Sequence, residues 1–260
     1  MTGGNVTPSP HRVLALILAA FLCLLPVFAA SAESDVAVVS PVLLRMDGDR
    51  VVRLAGLEAA LPEHEGARAA AERALANLLE GHAVLLQPED PAQDRIGRDL
   101  VQAFRADDGL WLQGRLLRWG HARVDPFTAP FDRLAAFYAL EAEARAEGLG
   151  LWAHPAYRLR SIDPEALLPW EGSIQVIEGV VAAVGEGGGA LYLNFGEDWK
   201  SDTTARVMRR DRKRFEAAGI DLAALAGQRV RLRGWVQSWN GPFIELHSPA
   251  QIELLGAMLP

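Results

Sequence analysis

Cysteine is nearly missing: the chain of 260 residues holds one, Cys23. It lies in an apolar run near the N-terminus, so removal of that run on export would leave no thiol. That excludes a disulfide framework, a thiol nucleophile and a cysteine-held metal in the mature chain. Positive charge is also short. Lys and Arg number 26 against 33 Asp and Glu, a formal net charge of -7. The surface as a whole will not attract a polyanion, and any site for one must be a local basic patch. His64, His82, His121, His154 and His247 show no zinc-ligand spacing. Neither a Gly-x-Ser-x-Gly elbow nor a Walker loop occurs. Gly185-Glu186-Gly187-Gly188-Gly189 falls between two strand-like runs and reads as a hairpin loop, not a phosphate cradle.

A long apolar run occurs at the start, Val13 to Ala29, after His11-Arg12 and before Ala30-Ser31-Ala32. A basic start, a short apolar centre and an A-x-A ending describe a secretory signal peptide over residues 1–32. Pro26 interrupts the run, which is slightly short of the roughly 20 residues of a membrane span. Leu22, not a small residue, precedes Cys23 and argues against a lipoprotein. The expectation is export to the periplasm or the exterior, with no integral membrane span in the mature chain.

Half of the chain is apolar and 23% is charged, which is ordinary for a globular protein. Its length favours two compact units, 33–160 and 173–260, joined by a linker at 161–172 that holds Pro164 and Pro169. From Ala37 to Leu57 apolar residues alternate as in strands, with Asp47-Gly48 as a hairpin turn. Helical spacing runs from Ala67 to Leu79, where Gly81 stops it, again from Leu110 to Trp119, and from Phe131 to Glu147. A polar loop is expected from Pro88 to Gly97. After the linker the pattern is mostly β, interrupted by a helical stretch at about Arg210 to Ala226. The fold class expected is α+β, mainly β: a small OB-type barrel with attached helices, then a second small barrel.

Three segments carry the chemistry. Val51-Val52-Arg53-Leu54-Ala55-Gly56-Leu57-Glu58 and Asp94-Arg95-Ile96-Gly97-Arg98-Asp99-Leu100 each put an arginine where a strand meets a loop, and Gly148-Leu149-Gly150-Leu151-Trp152 follows. In this order and spacing, over roughly 38–152, the chain resembles the staphylococcal nuclease (thermonuclease) family. The resemblance implies an OB-fold nuclease domain hydrolysing DNA or RNA phosphodiesters, with Arg53 and Arg98 clamping the phosphate. A planar guanidinium suits that role because it donates two parallel hydrogen bonds to phosphate oxygens. A lone arginine here would read as a strand-end charge or an ion pair with Asp94 or Asp99; two at these offsets favour the site. Ile96 stands where the family has an aromatic residue. Leu191-Tyr192-Leu193-Asn194-Phe195-Gly196 resembles the OB-like modules that follow thermonuclease domains in some exported bacterial proteins.

The resemblance also implies calcium, held by carboxylates on two turns, and here the chain departs from it. Only three residues separate Asp49 from Arg53, too few for an outgoing strand, a turn and a return at about 3.3 Å per residue. Counting back from Arg53 places the ligand turn at Ser40-Pro41-Val42-Leu43, with Val42 at the aspartate position. On the second turn Glu58 keeps a carboxylate for the metal. The general-base position falls on Leu61 without gaps, or on Glu63 if the loop has two extra residues. Glu63 and Glu65 also read as ordinary acids near a helix N-terminus. One ligand of two makes any calcium binding weak.

In the second unit Arg206, Arg209, Arg210, Arg212, Lys213 and Arg214 form the densest basic run. Arg229, Arg231, Arg233, Trp235 and Trp239 alternate with Val230, Leu232 and Val236 along one strand-like run, which places positive charge and indoles on one face. Either Arg210, Lys213, Arg231, Arg233 and Trp235 form a nucleic-acid face of the OB type, or they belong to a solvated helix and a strand face covered by packing. Two functions remain: an exported thermonuclease-family protein with weak or lost activity, and a non-catalytic module of the cell envelope that binds nucleic acid, another polyanion or a protein.

Overall fold

The computed structural model describes residues 32–198 and 200–257; the signal-peptide reading, apart from Ala32, lies outside them. Period-two burial builds the first sheet. In β3 (Val51–Leu54), Val52 and Leu54 are fully buried while Arg53 stands on the other face. β1 (Ala37–Ser40), β2 (Leu43–Arg45) and β3 form an antiparallel meander. Asp47–Asp49 is the turn between β2 and β3, with Gly48 at φ 70°. Short β4 (Leu57–Glu58) and helix α1 (Glu65–Leu79) follow, then β5 (Val84–Gln93) and β6 (Asp99–Arg105). The sheet order is β1-β2-β3-β6-β5, with β3 and β6 parallel. Strand β5 extends through most of the stretch expected as loop, leaving 94–98 as the turn into β6.

Helices α2 (Leu112–Arg118) and α3 (Leu134–Ala146) flank β7 (Arg123–Val124), which pairs with β4. Their apolar faces close the first core: Leu75 from α1, Leu112 and Leu116 from α2 and Phe137 from α3 pack on Leu44, Val52 and Leu54. Each such side chain contributes roughly 1.5–3 kcal/mol on burial.

β8 (Arg160–Ser161) and a short helix α4 (Pro164–Leu167) lead to the second part. The expected linker is therefore partly structured, and its Leu167 is fully buried in the second core. β9 (Ile174–Val180) joins β8, β13 (Gln228–Trp235) and β16 (Ile252–Ala257) in one sheet of order β16-β13-β9-β8. β10 (Ala183–Gly187), β11 (Ala190–Asn194), β12 (Thr204–Met208), β14 (Gln237–Ser238) and β15 (Pro242–Leu246) form the other, with order β10-β11-β12-β15-β14. The two sheets share a core of Ile177, Leu193, Val207, Val230 and Ile244, capped by Phe215 from helix α5 (Arg209–Ala217).

The thermonuclease-like fold with attached helices is present, but helix and strand contribute comparably and no sheet closes into a barrel. In the first sheet the edges meet at a single antiparallel bridge, Glu33 to Val84, too short a seam for closure. In the second, two sheets pack face to face. By their contacts, residues from Ala32 onward form one compact unit.

A buried ion pair ties the parts. Arg233 of β13 and Glu141 of α3 are 2% and 0% exposed and bond through two nitrogens, at 3.1 and 2.7 Å. Glu141 also accepts the Val124 amide at 2.7 Å. Burial alone would raise its pKa, but the facing guanidinium and this amide hold it below the ordinary value. Tyr138, beside the pair, donates to the Ala250 carbonyl. Burial pushes its pKa up to about 12.

Candidate functional site

Strand pairing explains why the two arginines meet. The parallel register sets Arg53 beside Leu100 and Val52 beside Asp99, so Arg98, one residue before β6, arrives next to Arg53. The loop carrying Arg98 is folded by one carboxylate. Asp94 Oδ1 accepts the Ile96 and Arg98 amides, both at 3.0 Å, and its Oδ2 accepts Arg98 Nε at 2.7 Å. Burial works against ionisation of Asp94, yet these donors outweigh it and hold the carboxyl below its usual value. Gly97 turns this loop at φ 82°.

Glu58 joins them because the chain reverses at Gly56, where φ is 78° and a Cβ would meet the Phe137 ring at 2.4 Å. Pairing of β4 with β7 then puts Glu58 opposite Arg123. Gly56 donates to Thr128 Oγ1 and accepts the Asp125 amide, each at 3.0 Å. Asp125 is thereby brought to Arg53, whose Nη2 it accepts at 2.9 Å.

Arg53, Glu58, Asp94, Arg98 and Asp125 line one cavity of about 410 Å³. Ile96 and Phe127, 74% and 43% exposed, give it an apolar lip. Asp125, Phe127 and Thr128 were missed from sequence. Glu63 is exposed and is not among the residues that line the cavity.

Every acid of the cavity already faces an arginine: Asp125 faces Arg53 at 2.9 Å, Glu58 faces Arg123 at 2.9 Å and Asp94 faces Arg98 at 2.7 Å. Asp125 also accepts the Thr128 hydroxyl at 2.8 Å and the Phe127 amide at 3.0 Å. Burial raises the pKa of Glu58; Arg123 opposes that rise and the charge of Asp125 adds to it. Arg123, 3% exposed, donates to the Ile174 carbonyl and lies over the Tyr157 ring.

Calcium takes about six to eight oxygen ligands, usually with two or more carboxylates. The donors here do not fit it. Val42, at the position where the resemblance expects aspartate, is 7% exposed and packed in the first core, its carbonyl accepting the Leu54 amide at 2.9 Å. Asp47 and Asp49 sit at the hairpin tip, outside the cavity lining. Among the described residues no group of three or more His, Cys, Asp or Glu is placed to hold a metal ion. What the cavity offers is two guanidinium groups on one wall, suited to a phosphate, and one acid of raised pKa.

The residues singled out in the second part separate. Arg231 is held by Glu178 and Glu253, each at 2.8 Å, and Arg233 by Glu141, so packing and ion pairs cover most of that strand face. Trp235 remains 51% exposed at the strand end. Arg210 and Lys213 are exposed on α5. They share no cavity with Arg53 and Arg98 among the described residues.

No curated protein matches the chain. Residues 52–154, which hold Arg53, Glu58, Arg98 and Asp125, match the family model described as Staphylococcal nuclease homologue.

Proposed function

We propose that this is an exported nuclease-family protein that grips nucleic-acid phosphate through Arg53 and Arg98 and whose phosphodiester hydrolysis is weak or lost. The family binds nucleic acid and is calcium-dependent in general. The observation that carries the reading is the set of three arginine–carboxylate pairs around one cavity. Two guanidinium groups on one wall suit a phosphodiester, because charge-assisted pairs are the strongest hydrogen bonds available to it. The same pairing leaves no carboxylate free for a cation. We assign any residual hydrolysis to Glu58, whose carboxylate lines the cavity and, with its pKa raised by burial, suits a general base that takes a proton from water. Export rests on residues 1–32 of the sequence.

The second reading is a non-catalytic envelope module that binds nucleic acid, another polyanion or a protein. The same three ion pairs favour it, since they fit binding without hydrolysis. Both are tested with protein from Glu33 onward, labelled single-stranded DNA and RNA, and parallel calcium and chelator lanes. Binding that Arg98→Ala weakens, with slow or no cleavage, is expected. Fast calcium-dependent cleavage abolished by Arg98→Ala would overturn the weak-or-lost part.

A further inference from the structure

The second sheet carries a cavity of its own. Leu191, Leu193, Ala205, Val207, Ile244 and Leu246 point into the second core. The alternate residues therefore stand on the opposite face: Tyr192 pairs with Arg206, Asn194 with Thr204, and Thr204 with Phe243. On β10 the residues of that face are small: Ala183, Gly185 and Gly187. Gly185 lies opposite Tyr192, and a Cβ at Gly187 would meet nothing within 4 Å. The missing side chains leave a trough of about 510 Å³, bounded on its far side by Trp239.

The lining is aromatic and cationic. Trp239 is 61% exposed, with its ring 5.9 Å from that of Phe243. The Arg206 guanidinium lies 5.5 Å from the Trp239 ring and 4.9 Å from Phe243. Both acids that border the trough are already paired, Glu245 with Arg206 at 3.0 Å and Glu186 with Arg212 at 2.9 Å. Helix α5 follows β12 directly, and its Arg209, Arg210 and Lys213 are exposed. Among the described lining residues Arg206 is the one cation, and α5 begins beside the β10–β11 hairpin, where the Arg209 amide donates to the Gly189 carbonyl at 2.9 Å.

We propose that this trough binds single-stranded nucleic acid, one base stacking on Trp239 and the adjoining phosphates running past Arg206 to the start of α5. Every base offers a π face, so stacking of this kind tolerates sequence and is worth roughly 1–3 kcal/mol per base. Asn194 and Thr204 supply donors and acceptors for a base edge. A neutral sugar would use the aromatic wall but has no need of the Arg206 charge. This site shares no residue with the cavity of Arg53 and Arg98 and does not depend on that reading.

The test measures fluorescence anisotropy of a labelled oligothymidylate with the chain from Glu33 onward, in an Arg98→Ala background that removes one arginine of the first cavity. Circular dichroism checks that each variant is folded. Residual binding is expected, with Trp239→Ala lowering it about tenfold or more and Trp239→Phe restoring most of the affinity. Three results would overturn the proposal: no residual binding in the Arg98→Ala protein, unchanged affinity in the folded Trp239→Ala variant, or tighter binding of a neutral oligosaccharide than of the oligonucleotide. A wild-type protein unaffected by Arg98→Ala but weakened by Trp239→Ala would sink the first-cavity reading and leave this one standing.

Discussion

The two cavities recruit arginine for opposite ends. Around Arg53 and Arg98 each guanidinium is locked against a carboxylate of the same cavity, and the rings are peripheral. On the second sheet Arg206 lies between two rings, and the remaining cations stand outside on α5. The first arrangement orients an anion in a neutralised pocket; the second sets aromatic surface beside a paired guanidinium, with further exposed cations on α5. Arg206 is paired as well, with Glu245 at 3.0 Å, so what sets it apart from Arg53 and Arg98 is the aromatic surface beside it.

The sharpest break of this comparison is at the joint between the parts. Glu141→Ala leaves Arg233 buried and unpaired, and the expected loss is about 3–5 kcal/mol of stability. Urea unfolding would measure it, with probes in both parts losing signal together. Glu141→Met with Arg233→Met should recover much of the loss, because an apolar pair needs no partner charges.

Next in size is Arg98→Ala. A lost charge-assisted hydrogen bond of about 1.5–3 kcal/mol corresponds to roughly 10- to 100-fold weaker binding of nucleic acid at the first cavity. Filter binding reads it, and Trp239→Ala in the same assay should leave the Arg98-dependent fraction intact.

A smaller effect of opposite sign is expected from Asp125→Asn. It removes the carboxylate that occupies Arg53, so phosphate affinity should rise several-fold as the salt dependence of binding steepens. Unchanged affinity would show that Asp125 does not compete with the ligand.

The smallest effect is a pH dependence. Because the folded pKa of Asp94 lies below its ordinary 3.8, its contribution is full above that value and is lost as pH falls through the lower folded one. Asp94→Asn should flatten the acid limb of the stability profile. Glu58, with a raised pKa, has the reverse sign: its ionised form is disfavoured in the fold, so Glu58→Gln should relieve a penalty that grows with pH above the ordinary 4.5.

The first cavity was legible where its members were close to a strand register. Arg53 and Arg98 were paired by the resemblance, and both line the cavity; Asp47-Gly48 forms the hairpin turn that its Asp-Gly signal suggested. Asp125 was not legible, because it reaches Arg53 across 72 positions through the pairing of β4 with β7, two-residue strands with little pattern of their own. The local signal was Asp125-Pro126-Phe127-Thr128, a turn whose aspartate accepts the Phe127 amide two residues on. On β13 alternation correctly gave one face to Arg231 and Arg233, but alternation does not say what covers a face, and there α3 supplies Glu141. The trough on the second sheet escaped for another reason. Gly185 and Gly187 read as loop residues, while in the fold they are strand positions whose missing side chains make room.

The Arg233–Glu141 pair also bears on inheritance. Glu141 falls inside the segment that matches the nuclease family model, and Arg233 falls outside it. A gene fusion that carried residues 52–154 into another protein would carry Glu141 without Arg233, leaving Arg145 at 3.4 Å as its remaining cation. Recombination that separated this domain from its companion would cost it the stronger of the two pairs that Glu141 makes. The two stretches are bound to evolve as a pair.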